Sequence, residues 1–222
     1  MTNSTASFTL LKENMVKQQL RTNEIVDKTI LKLFDTIPRH EFVPSNLREF
    51  AYSDLPIPLP HDQQMFIPEE EGRLLQALQL QGHETILEVG TGSGYLTALL
   101  SQLGKKVISL DCFADFTRNA ASKISEFGYP NIEFITEDAA QGYLNKAPYD
   151  VVVMTGSIPT LSKTLTLQIV PGGKLFAIIG EPPIMSAYVF TLDHQEKWTE
   201  TLLFKTNTPA LINKLKLKNF VF

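Results

Sequence analysis

Apolar residues change their spacing along this chain, and each change marks a different kind of structure. From residue 8 to 37, Leu11, Met15, Leu20, Ile30, Leu31, Phe34 and Ile37 recur at roughly every third or fourth position, and Pro38 stops the pattern. That is the period of a buried helix face. Between Pro38 and Pro68 the period disappears. Six prolines (38, 44, 56, 58, 60 and 68) hold the stretch extended or in turns. Phe42, Val43, Phe50, Tyr52, Met65 and Phe66 nevertheless make it too apolar for a disordered linker, and a loop this long inside a compact domain is usually functional. From Glu69 onward the pattern predicts helix 69–80, strand 85–89, helix 94–103, strand 106–110, helix 113–127 and strand 131–136. A short helix near 140, strand 149–155, helix 160–169 and strand 174–179 follow. Apolar strands alternating with helices predict an α/β fold with a parallel sheet covered on both faces. After Pro182 and Pro183, residues 187–192 and 198–204 read as two strands joined by the polar turn Asp193–Glu196, an antiparallel pair closing the sheet. The expected organisation is a helical and proline-rich cap over 1–68 and a core over 69–222, together one compact domain.

Composition narrows the function classes. The chain has 222 residues, 43% hydrophobic and 20% charged, which is ordinary for a globular domain with a substantial core. A net charge of −4 leaves no basic footprint for a nucleic-acid partner. No apolar run reaches the length of a membrane span. The lone Cys112 excludes an internal disulfide and fits a reducing compartment. The first residues lack the basic and apolar regions of a signal peptide, so a cytoplasmic enzyme is the default expectation, with a monomer as the working state. His40, His61, His83 and His194 are scattered and give no metal-ligand spacing.

The densest chemical signal is Thr85-Ile-Leu-Glu-Val-Gly-Thr-Gly-Ser-Gly-Tyr95. A short apolar run ends in Glu88 and Val89, passes Gly90, Thr91, Gly92, Ser93 and Gly94, and enters a helical pattern. Glycines allow positive φ and close ligand approach, and a helix start offers unpaired N–H groups and positive dipole character. The dinucleotide fingerprint has a different glycine spacing, and an acid two positions before the first glycine would repel pyrophosphate. Glu88 suits instead a ligand carrying ammonium and sulfonium charge. The alternative is a tight strand-to-helix turn without a ligand.

Two further acids stand at strand ends. Asp111 follows the second core strand, 21 residues after Gly90, where a carboxylate can accept both hydrogens of a ribose diol. Asp138, after the third, is placed to accept from the exocyclic amine of adenine, with the Ala139 N–H facing a ring nitrogen. Either acid could instead cap the helix that follows it. Asp150 precedes its strand, at the opposite edge, and reads as structural.

The glycine loop resembles the first motif of S-adenosylmethionine-dependent methyltransferases. Beside it, Met15-Val-Lys-Gln-Gln-Leu20, Pro38-Arg-His-Glu-Phe-Val-Pro44, Ala51-Tyr-Ser-Asp-Leu-Pro-Ile57, Ala147-Pro-Tyr-Asp150 and Pro171-Gly-Gly-Lys-Leu175 resemble the protein-L-isoaspartate O-methyltransferase family. The resemblance implies a Rossmann-like, mostly parallel seven-stranded sheet, S-adenosylmethionine as cofactor, and a peptide or protein carboxylate as substrate. It implies a cofactor site at Glu88, Gly90, Thr91, Gly92, Ser93, Gly94, Asp111, Asp138, Ala139 and Thr155. It implies a substrate pocket at Gln63, Met65, Phe66 and Pro68.

One departure stands out. The family pattern Gly-Gln-Thr-Ile-Ser-Gln-Pro is here Asp62-Gln-Gln-Met-Phe-Ile-Pro68, which places Phe66 at the family's active-site serine and Ile67 at its glutamine. Ser157, in Thr155-Gly-Ser-Ile-Pro159, is the candidate to return a hydroxyl to the pocket. Met65, Pro68 and Glu71-Gly-Arg73 resemble a divergent bacterial branch. Besides carboxyl methylation, a small-molecule acceptor and a cofactor-binding module with little catalytic activity stay open.

Overall fold

The computed structural model describes residues 2–213; residue 1 and residues 214–222 of the expected cap and core lie outside the described residues. The helical start is not one helix. α1 (Thr2–Asn14) runs into a π-helical turn, Met15–Leu20, and α2 (Lys28–Thr36) begins afresh. Glu24 adopts φ 63°, and the Asp27 carboxylate accepts from the N–H groups of Thr29 (2.7 Å) and Ile30 (3.2 Å). That is the capping arrangement that starts a new helix. Pro38 ends α2 by holding Ile37 extended.

The proline-rich stretch contains strands that its sequence did not predict. β1 (Ile57–Leu59) and β2 (Gln63–Met65) form a short antiparallel hairpin with Ile57 opposite Met65. Its turn places His61 and Asp62 in the left-handed region (φ 60° and 55°). α3 (Pro68–Leu78) follows, with proline in its first turn and the Glu70 carboxylate accepting from the Ile67 N–H at 3.3 Å.

Strands and helices then alternate through β3 (Thr85–Val89), α4 (Tyr95–Ser101), β4 (Lys106–Asp111), α5 (Ala114–Ser125) and β5 (Ile132–Thr136). β6 (Tyr149–Ile158), α6 (Lys163–Thr166), β7 (Ile169–Glu181), β8 (Ile184–Leu192) and β9 (Trp198–Thr206) complete the sheet. The seven strands lie in the order β5-β4-β3-β6-β7-β8-β9. The first five are mutually parallel and the last two antiparallel. This is the expected architecture. Two local expectations fail. The helix near 140 is replaced by a single tight turn at Leu144–Lys146, and the helix over 160–169 shrinks to α6 because Ile169 already pairs with Tyr149 in the sheet.

Side chains along β6 alternate between two cores. Val151 and Val153 face a layer built from α3, α4 and the cap, including Met15, Phe34, Phe42 and Leu99. Val152 and Met154 face a second layer with Ile108, Leu165 and Leu175. The cap therefore shares a core with the sheet. The chain leaves β3 for β4 on one side, and later returns with β6 on the other. The crevice opens at the carboxyl ends of these strands, where open α/β sheets bind ligands.

Candidate active site

The glycine loop sits at the end of β3. Gly90, Gly92 and Gly94 adopt φ of 100°, 51° and 82°. A Cβ on Gly90 would lie 2.0 Å from the Thr155 hydroxyl oxygen, which donates to the Val89 and Gly90 carbonyls at 2.9 Å each. Thr155 on β6 thus clamps the loop. Gly94 serves packing: a Cβ there would lie 2.7 Å from that of Ala120 on α5, and Gly94 does not line the crevice.

Most of the loop N–H groups are used internally, contrary to the expectation of free donors. Gly90 and Thr91 donate to the Leu110 carbonyl, Gly92 to Asp111, and Gly94 to the Thr91 carbonyl. A phosphate would find few partners here. What the loop offers is room, beside carboxylates.

Those carboxylates divide into two kinds. Glu88, expected at the ligand, does not line the crevice. Alternation along β3 turns it toward α4, where one oxygen accepts from the hydroxyls of Thr97 (2.5 Å) and Ser109 (2.6 Å). Thr91 and Ser109 share a hydroxyl contact at 2.7 Å, so Glu88 braces the loop from below. Burial pushes its carboxyl up to about 7, against the pull of the two hydroxyls. Asp111 and Asp138 do line the crevice, as do Thr91, Ser93, Glu137, Ala139 and Thr155. Asp111 accepts from the N–H groups of Gly92 and Phe113, both at 3.0 Å, so it combines a turn-capping role with a place on the wall. Its pKa is raised by burial, with those two N–H groups opposing. Asp138 accepts from the Ala140 N–H and from the Asn213 side-chain amide, both at 3.0 Å.

The hairpin supplies the other end. Leu59, Gln63, Gln64, Met65 and Phe66 line the crevice, and the Phe66 ring meets Phe176 edge-on at 6.3 Å between centroids. Pro68, expected in the pocket, instead opens α3 and does not line it. Glu71 does. It pairs with Arg39, a fully buried residue that also donates to the Phe66 carbonyl at 2.5 Å and lies 4.8 Å over the Tyr95 ring. Burial pushes Glu71 up to about 7, while Arg39 pulls it down. The hairpin turn is pinned to the start of α5: His61 stacks on Phe113 at 3.9 Å and bonds Asp115 at 3.0 Å.

A segment beyond β9 roofs the crevice. Thr208, Pro209, Leu211 and Ile212 line it, and the strap is seated by two backbone bonds, Ser157 N–H to Pro209 and Leu211 N–H to Ser157, both 3.0 Å. Ser157 thus acts through its backbone. Its hydroxyl is buried, does not line the crevice and has no partner among the described residues, which corrects its candidacy as a pocket hydroxyl. Sequence reasoning missed the strap and Arg39; Glu71 and Arg73 carried only a weak signal, the Glu-Gly-Arg motif. Asp150 accepts from the Thr85 N–H at 2.8 Å, away from the crevice, in its expected structural role. Among the described residues there is no metal-binding cluster, and no helix long and apolar enough to cross a membrane.

Sheet order, glycine loop and acidic strand ends together define a Rossmann-like methyltransferase fold. The chain belongs to the protein-L-isoaspartate(D-aspartate) O-methyltransferase family, whose model matches residues 11–206. It is 38% identical to a protein-L-isoaspartate O-methyltransferase of Methanoculleus marisnigri over 169 residues, 76% of this chain and 77% of that one. A Koribacter versatilis protein of the same name is 35% identical over 182 residues, 82% of each. The fold matches a Plasmodium falciparum crystal structure of that description, in complex with S-adenosyl-L-homocysteine, with TM-score 0.76 and 20% identity over 93% of this chain and 99% of that one. A second structure named protein-L-isoaspartate O-methyltransferase matches with TM-score 0.75 and 22% identity, over 90% of this chain and 65% of the other.

Proposed function

We propose that this chain transfers a methyl group from S-adenosylmethionine to a carboxylate of a peptide or protein, giving a methyl ester. The observation that carries the reading is the crevice wall itself: a loop whose N–H groups are mostly satisfied internally, flanked by Asp111 and Asp138. Such a wall suits a nucleoside with a cationic tail better than a phosphate. Asp111 would take the ribose diol, Asp138 and Ala139 the adenine edge, and the Gly90–Ser93 loop with Thr155 the amino-acid part. When bound, the donor supplies an already activated methyl on a sulfonium, which passes to an acceptor oxygen by in-line displacement. The protein's task is to hold acceptor and donor aligned. A carboxylate acceptor is ionised at neutral pH and needs no general base.

Residues 1–68 act as the cap that supplies the acceptor end. With Phe66 in the serine's place, the polar side chains beside it on the crevice wall are Glu71, the Gln63 and Gln64 amides, which also donate to the His61 and Asn207 carbonyls, and the Thr208 hydroxyl. The apolar lining of Leu59, Met65 and Phe66 favours a second reading, a less polar small-molecule acceptor. The lone Cys112 fits a reducing compartment such as the cytoplasm. The deciding experiment offers labelled cofactor to an isoaspartyl peptide, an aged protein and a small-molecule extract. Base-labile label on peptide or protein supports carboxyl methylation. Label confined to small molecules selects the second reading, and cofactor binding without any transfer overturns both.

A further inference from the structure

A buried ion pair is a poor way to stabilise a fold, because desolvating both charges offsets much of their attraction and apolar replacements often do as well. Arg39 is nevertheless fully buried and Glu71 is 2% exposed. Their position gives a different reason for them. Arg39 reaches three parts of the site at once. One guanidinium nitrogen pairs with Glu71 in the first turn of α3, and a second donates to the Phe66 carbonyl at 2.5 Å. The guanidinium plane lies 4.8 Å over Tyr95, the first residue of the helix that leaves the glycine loop. Phe66 and Glu71 line the crevice, whereas Arg39 stands behind them. An apolar side chain could fill Arg39's space, but it could not grip a carbonyl and a carboxylate together.

We infer that Arg39, oriented by Glu71, is a positioning residue for the acceptor: it fixes the Phe66 carbonyl, and with it the angle at which Met65 and Phe66 meet the group to be methylated. Met65 and Phe66 bury their side chains in the core, but the backbone at the hairpin exit has few other side-chain partners. β2 is three residues long, and the Ile67 N–H is held only at 3.3 Å by Glu70. The pair therefore sets the distance between acceptor wall and glycine loop, while Thr155 sets the loop itself. The inference rests on the proposed methyl transfer for its catalytic readout alone.

Two variants test it. Arg39→Lys keeps the charge but lacks the fork, and Arg39→Met with Glu71→Leu removes both charges at similar volume. Both should unfold cooperatively and bind S-adenosylhomocysteine within about twofold of wild type, since the donor end is anchored elsewhere. Amide exchange at residues 64–67 should accelerate about tenfold or more, with β6 unchanged. KM for the methylated acceptor should rise about tenfold at nearly constant kcat. Wild-type exchange at 64–67 and unchanged KM in both variants would overturn the inference. So would a double variant that cannot fold beside a lysine variant with wild-type exchange, which assigns the pair to stability. If the wild type methylates no acceptor, the functional proposal fails, while exchange at 64–67 still decides the role of Arg39.

Discussion

The side-chain amide of Asn213 donates to the Asp138 carboxylate at 3.0 Å, joining residues 75 positions apart across the mouth of the crevice. The other Asp138 oxygen is held by the Ala140 N–H. Between them the two donors orient the carboxylate proposed to receive the adenine amine. Asn213→Ala is expected to cost about 0.5–1.5 kcal/mol of cofactor affinity, the ordinary worth of one such bond. Calorimetry with S-adenosylhomocysteine checks this, and tighter binding would identify Asn213 as a competitor for Asp138.

Asp111 is tied to the glycine loop through Gly92 and to the start of α5 through Phe113. Asp111→Ala should weaken cofactor binding by about 1.5–3 kcal/mol, the range for hydrogen bonds to a charged group. An alanine variant that unfolds earlier but binds normally would leave only the turn-capping role.

Phe66 decides the acceptor if the hairpin is the acceptor wall. Leaving a polar group unpaired beside it costs about 1–3 kcal/mol, or about a tenfold to hundredfold in rate when felt in the transition state. Wild-type turnover of isoaspartyl peptides should therefore be weak, and Phe66→Ser with Ile67→Gln should raise it. The loss of the ring's contact with Phe176 should cost stability, at the low end of the about 3–5 kcal/mol seen for large-to-small aromatic changes. Robust wild-type turnover, unaltered in the double variant, would separate this loop from specificity.

Glu88 predicts a pH dependence. Its carboxyl is raised from an ordinary 4.5 to about 7, chiefly by burial, so the folded state favours the protonated form. The stabilisation is complete below the ordinary value and is lost as pH rises through about 7, an effect on the order of 3 kcal/mol. Glu71 shifts in the same direction, so the comparison needs Glu88→Gln, which keeps an oxygen for Thr97 and Ser109. Between about pH 5 and pH 8.5 the wild-type Tm should fall about 6–12 °C further than the variant's. Parallel curves would show that Glu88 titrates normally.

The parallel sheet was legible because β3, β4 and β6 are largely apolar on both faces and because Gly90–Gly94, Asp111 and Asp138 mark the ends of β3, β4 and β5. What escaped was local or long-range. β1 and β2 are only three residues each, and Pro58 sits inside β1, so neither shows a period of two. The strap after Thr206 has no period at all and is placed by two backbone bonds to Ser157. Arg39 and Glu71 meet across 32 positions, a pairing nothing in their neighbourhoods announces. Glu88 is the instructive case: Ile86 and Glu88 share one face of β3, so strand parity alone already turned the carboxylate toward the helix layer. Asp111, as the last residue of its strand and beside the loop, escapes that constraint.

The strap's place after β9 has a consequence for synthesis. The glycine loop, the acidic strand ends and the hairpin are all made before β7, but Thr208 to Ile212 can roof the crevice only once β9 has added to the sheet edge. A nascent or truncated chain ending at β8 would leave the wall formed by the glycine loop, Asp111 and Asp138 open to water, without the residues that close over it. A fully walled crevice therefore exists only on a chain translated as far as Ile212.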